Sequence, residues 1–269
     1  MNKFLLSFLL LAEPVYTMAQ SFYNEDNLAF VWEVKQIDEF MERFNGSNKT
    51  LLVLYYKKND PSMVFTREKL IKSLFNTGNR HWNLNEIIDF IGQVNDKQHP
   101  QYLEFFGGNW YAVIKSAVTY KGRPKVITFL LMVQNQSNGS SKWIIFGATA
   151  DFLRLPEIEQ HLLKIPEPRD STVSLNPVSN TNDFLNIDKV SKEKANIKNY
   201  FLQAENYSDD LPLVENEILN GHLVVNETIT VSYDFKQIPG WEIEIKQYNR
   251  QTRNSGWLIS RLTRMPAKN

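Results

Sequence analysis

The chain contains no cysteine among its 269 residues. That absence excludes disulfide staples, thiolate zinc sites, iron–sulfur clusters, a cysteine nucleophile and a lipidated cysteine anchor. An excess of charge of one sign is equally absent, with 30 Lys+Arg against 30 Asp+Glu and a formal net charge of +0. The balance argues against a whole-molecule electrostatic footprint for nucleic acid or anionic membrane, while leaving room for a local patch. Histidine is scarce: His81, His99, His161 and His222 are the full set, and none falls in a His-x-x-x-His pair. Glu157 and His161 stand four apart after Pro156, a spacing open to a metal but ordinary for a pair on a helix surface. No Gly-x-Ser-x-Gly elbow and no glycine-rich phosphate loop occurs, and Gly107-Gly108 reads as a turn into a strand. Neither a metal nor a cofactor is implied.

Hydrophobic residues make up 42% and aromatics 13%, enough for packed cores and too much for a disordered chain. The length accommodates two ordinary domains or one large one. Met1-Asn2-Lys3 gives a basic start, Phe4 to Ala12 is apolar apart from Ser7, and Glu13-Pro14 breaks the run. Thr17-Met18-Ala19 then sets small residues before Gln20. These are the parts of an export signal over 1–19, cleaved after Ala19; a buried N-terminal helix is the alternative. The apolar run falls well short of the roughly 20 residues that span a bilayer. The expected address is therefore outside the cytosol, periplasmic or at the cell surface.

Further along, Phe30, Val34, Ile37, Met41 and Phe44 draw one helical stripe that Asn45-Gly46 ends. Leu51 to Tyr56 is apolar and fits strand or helix. Thr66 is placed to cap a helix carrying Leu70 and Leu74, and Asn83 or Asn85 another with Ile87, Ile88 and Ile91 on one face. From Trp110 the pattern turns to strands: Trp110–Tyr120, Val126–Gln134 and Lys142–Thr149, joined by a Lys121–Pro124 turn and a polar loop. A weaker helix over Ser191–Glu205 precedes a second series of strands, Leu223–Phe235, Trp241–Tyr248 and Trp257–Leu262. Val118-Thr119-Tyr120, Pro124, Asn138-Gly139 and Trp143-Ile144-Ile145 match Val231-Ser232-Tyr233, Pro239, Ser255-Gly256 and Trp257-Leu258-Ile259, which favours duplication over convergence. The reading is α+β, with a first domain over 22–165, a Pro/Ser/Asn-rich linker over 166–179 and a second domain over 180–269, each a helix-roofed curved antiparallel sheet.

Helices followed by a meander, with Trp opening a late strand, resemble the nuclear transport factor two-like, or cystatin-like, fold. More narrowly, Glu39–Gly46, Lys142–Gly147 and Leu175–Ser179 with Asp183-Phe184-Leu185 are similar to segments of exported bacterial proteins that carry tandem domains of that fold. The resemblance implies architecture and export, and it supplies no catalytic residue.

In such a fold a sheet roofed by helices often encloses a pocket, and Trp110, Tyr120, Trp143, Tyr233 and Trp257 are the residues to line it. Large rings are also ordinary fillers of a curved sheet. Arg250, Arg253, Arg261 and Arg264 give the C-terminus a basic tint, read as a solvated strand face rather than a nucleic-acid patch. Two functions compete. One is a non-catalytic binding or scaffolding protein, whose partner is a small molecule or a cell-envelope protein and whose sheet faces permit a homodimer. The other is a small-molecule hydrolase or isomerase with a buried carboxylate as base. Asp26, Asp38, Glu39 and Asp89 are carboxylates on or near helices, and their placement reads as outward.

Overall fold

A computed structural model describes residues 28–135, 141–153, 187–192, 194–202 and 211–266. The signal segment 1–19, the linker 166–179 and the Glu157–His161 pair lie outside these residues. In chain order the elements are α1 (Ile37–Phe44), α2 (Leu51–Asn59), α3 (Arg67–Ser73), α4 (Leu84–Val94), β1 (Trp110–Tyr120), β2 (Arg123–Asn135) and β3 (Ser141–Thr149). Then follow α5 (Ile187–Lys192), a 3₁₀ turn (Ile197–Tyr200), α6 (Leu211–Leu219), β4 (Leu223–Phe235), β5 (Trp241–Tyr248) and β6 (Gly256–Arg264). The protein is α+β. No helix among the described residues is long and apolar enough to cross a membrane.

All six strands belong to one antiparallel sheet in the order β3-β2-β1-β4-β5-β6. Two separate sheets are the sequence expectation; the structure joins the two meanders through their first strands. Pairing runs from Trp110↔Phe235 to Tyr120↔Leu223, with register shifts after Lys115 and after Ala117. A three-stranded meander ending at β1 or β4 would leave a row of unpaired backbone groups, and each edge satisfies the other. Long-range pairing of this kind leaves no local trace in sequence. The β1–β2 connection is tight: Tyr120 pairs with Arg123, and both intervening residues are left-handed, Lys121 at φ 48 and Gly122 at φ 77. Such a two-residue turn follows the twist of its strands.

Period-two alternation decides the faces. On β1, Trp110, Ala112, Ile114, Ser116 and Val118 are buried, and on β5 Trp241, Ile243 and Ile245. Helices α5 and α6 pack on β4, and α6 also on β3. At the other end Phe90 of α4 meets Trp241 edge-on at 5.4 Å, and the Trp241 indole donates to Gln93 Oε1 at 2.9 Å.

The fold separates into two compact units, Met1–Arg80 with Tyr248–Leu258, and His81–Gln247 with Ile259–Asn269. In the first, the expected single helix over 28–44 is broken: residues 28–32 are helical, Val34 leaves the helix to bridge Gly256, and α1 restarts at Ile37. Trp257 N–H donates to the Val34 carbonyl at 2.7 Å. Phe30, assigned to the stripe, is 57% exposed instead. The buried Arg43 guanidinium closes the break, donating to the Trp32 carbonyl at 2.7 Å and to Glu39 at 3.1 Å. Desolvation lowers its pKa, and the Glu39 charge opposes that shift. Leu51–Asn59 is helix, capped by Thr50, whose hydroxyl accepts from Val53 N–H, and it buries Leu52 and Tyr56 with Val31 and Leu70.

Thr66 and Asn83 cap α3 and α4 as expected. On α4 the buried face carries Phe90, Ile91 and Val94, while Ile88 is 64% exposed. Of the expected Ser191–Glu205 helix, Ser191 and Lys192 end the short α5 and Ile197–Tyr200 is the 3₁₀ segment, while 193 and 203–205 lie outside the described residues. Helix α6 went unread, although Leu211, Val214 and Ile218 are spaced to share a face and all are buried.

Candidate functional site

The aromatic residues expected to line a pocket fall in different places. Trp110, Trp143 and Tyr233 come together, with ring centroids of Trp110 and Trp143 5.3 Å apart and those of Trp110 and Tyr233 6.0 Å apart. Trp110 also stacks on Phe235 at 5.2 Å and donates its indole N–H to the Phe105 carbonyl at 2.9 Å. All of these rings are buried, and burial drives the Tyr233 phenol far above its ordinary pKa. They fill one another's space as a core does. Tyr120 is half-buried at the end of β1, 5.0 Å from Phe152. Trp257 belongs to the other compact unit and is buried there.

The polar loop before β6 turns inward. Asn254 Nδ2 donates to the Phe75 carbonyl at 2.8 Å, and its Oδ1 accepts from Thr77 N–H at 2.9 Å. Arg250 donates to Asn76 Oδ1 at 2.8 Å. Of the basic C-terminal residues, Arg264 meets Asp89 at 2.9 Å and Arg261 meets Glu244 at 3.3 Å, while Arg253 is exposed. Arg250, Arg261 and Arg264 thus each engage a polar or acidic neighbour. Asp89 and Glu39 are thereby ion-paired.

The chemistry gathers on the face of β1, β4 and β5 turned away from Tyr233 and Phe235. Asp234 stands directly opposite Tyr111 on β1 and Glu244 on β5, and opposed residues in a ladder share a face. Glu244 accepts from Ser260 at 2.7 Å and pairs with Lys246 at 2.8 Å. Glu242 lies 3.7 Å from Lys236, which also sits over the Tyr111 ring at 5.5 Å. Asp234 is only 8% exposed, and its Oδ1 has no hydrogen-bond partner.

Electrostatics separates the two opposed carboxylates. Burial, with the charges of Glu244 and Glu242, pushes Asp234 up to about 6 against the opposing pull of Arg261 and Lys236. Burial also opposes ionisation of Glu244, but hydrogen bonds from Lys246 and Ser260, together with the charges of Lys246 and Arg261, outweigh it and lower its pKa. One carboxylate is thus held charged while its neighbour exchanges a proton near pH 6. No group of three or more His, Asp or Glu among the described residues is arranged to hold a metal.

Sequence reasoning missed this site. Its signal lay in the alternation Trp241-Glu242-Ile243-Glu244-Ile245 and in Asp234 between Tyr233 and Phe235, which sends the carboxylates to one face once the strands are paired. Comparison with family models, curated proteins and solved structures finds no match.

Proposed function

We propose that the chain is an exported, non-catalytic binding or scaffolding protein that receives its partner on the Tyr111–Asp234–Glu244 face of its sheet. The observation that carries this reading is the division of labour between faces. Trp110, Trp143 and Tyr233 pack on one another, while Asp234 keeps a buried oxygen without a hydrogen bond among otherwise engaged neighbours. Buried polar atoms normally have partners, and one that lacks them stands ready for a ligand donor. Export rests on the Met1–Ala19 pattern. The same proposal takes the two meanders as copies of one nuclear transport factor two-like unit, supported by the matched segments around Tyr120 and Tyr233. A second observation in its favour is that β3 and β6, the outer strands of the two meanders, both carry a Trp near their start.

The competing reading, a hydrolase or isomerase, draws on the same Asp234, since a desolvated carboxylate beside Tyr111 and Lys236 is suited to proton transfer. A thermal-shift screen on the wild type and Asp234→Asn, with product analysis of every hit, separates the two. Ligand-dependent stabilisation without turnover supports binding. Turnover that Asp234→Asn abolishes supports the enzyme.

A further inference from the structure

A second polar site lies away from Asp234, where two turns abut. The β1–β2 turn and the turn between α6 and β4 are tied by a hydrogen bond from Lys121 N–H to the His222 carbonyl at 2.8 Å. The α6 turn closes around Gly221, at φ 75, and His222 Nδ1 lies 3.2 Å from Glu217 Oε2. Lys121, Arg123 and Lys125 are exposed along the hairpin tip. Lys194 joins them from the chain after α5, its Nζ only 2.6 Å from where a Cβ on Gly221 would stand. Cations from two segments, the hairpin tip and the chain after α5, therefore gather beside Glu217 in a protein whose overall charge balances to +0.

Two features distinguish this tip from a merely solvated charge run. Lys121 occupies a left-handed turn position that Asn, Asp or Gly ordinarily fills, and there it leans over the Tyr120 ring at 4.9 Å. Aliphatic side chains alternate with the cations along the hairpin, so that Pro124, Val126 and Val224 leave it on the opposite face from Arg123 and Lys125 and only its end presents both kinds. Pro124 is exposed, Val126 is 48% exposed, and Val224, across Thr119 from Pro124, is 39% exposed. A soluble polyanion offers those aliphatic groups nothing, whereas the boundary between headgroups and acyl chains accommodates both kinds.

We infer that the tip formed by Lys121, Arg123, Lys125, Lys194, Val126 and Val224 is a docking site for an anionic lipid surface, which it touches end-on. The attraction comes from a few clustered charges, so it acts within a Debye length and weakens as salt rises.

The test is co-sedimentation of the full chain with phosphatidylcholine vesicles, with and without phosphatidylglycerol. Wild-type protein should pellet with the phosphatidylglycerol vesicles alone and release as salt is added. Each neutralised cation should weaken binding roughly fivefold, so Lys121→Gln, Arg123→Gln and Lys125→Gln together should weaken it about a hundredfold. Lys57→Gln with Lys58→Gln, on exposed positions of α2, should leave binding unchanged. Matching thermal melts show that each variant is folded. Absence of vesicle binding by the wild type, equal binding by the tip variant, or retention on heparin without vesicle binding overturns the inference.

Discussion

Gly256 lies so close to Val34 that a Cβ built on it would collide with the Val34 carbonyl. The contact fixes where the N-terminal helical stretch breaks and where β6 begins. Gly256 is also left-handed, at φ 82. Gly256→Ala therefore combines backbone strain with a clash that no side-chain rotation relieves, and should cost about 2–5 kcal/mol. Gly240→Ala, also left-handed but with nothing within 4 Å of its Cβ, should cost only about 1 kcal/mol. Urea unfolding of both variants checks the pair; equal losses would contradict the account.

Asn254 joins the loop before β6 to the end of α3 through the Phe75 carbonyl and the Thr77 N–H. Asn254→Ala leaves both backbone groups without that partner and should lower stability by about 1–3 kcal/mol. Asn254→Asp keeps the acceptor and loses the donor, so calorimetry should place its Tm between those of wild type and Asn254→Ala.

The Asp234 prediction turns on its sign. Its carboxyl titrates at about 6 in the fold against 3.8 ordinarily, so the folded state binds the proton more tightly. Stability from this group is complete at low pH and is lost as pH rises through the window from about 4 to about 6. Asp234→Asn, permanently neutral, should be more stable than wild type at pH 7, with the two converging near pH 4. Screening by water and by Lys236 and Arg261 reduces the gain to about 1 kcal/mol. A difference independent of pH would sink this explanation.

Export is tested on protein recovered from its native host. N-terminal sequencing should begin at or near Gln20. An intact Met1 on protein from a cytosolic fraction would contradict the proposed address.

Local signals in the sequence were legible where they act locally. Thr66 and Asn83 cap helices as their side chains allow, and β4 and β5 run over the residues that alternation marks. The apolar run Leu51–Tyr56 fits either element because it is too short for periodicity to decide, and the structure makes it part of the helix Leu51–Asn59. The break at Val34 depends on Gly256, more than two hundred residues away, and no local pattern reports it. The same limit hid the candidate site. Asp234, Glu244 and Tyr111 are unremarkable in their own strands and become a site only when β4 pairs with both β1 and β5. The aromatic residues were visible, but their ring contacts with one another, which make Trp110, Trp143 and Tyr233 a core, were not.

The central claim is that the Tyr111–Asp234–Glu244 face binds a partner without transforming it. The most direct measurement is a ligand screen in which the Tm shift and product formation are recorded on the same samples of wild type and of Asp234→Asn with Tyr111→Ala. The account predicts at least one ligand that raises the wild-type Tm, loses that effect in the variant and is recovered unchanged. A ligand converted to product by the wild type alone, or one that stabilises both proteins equally, would contradict it.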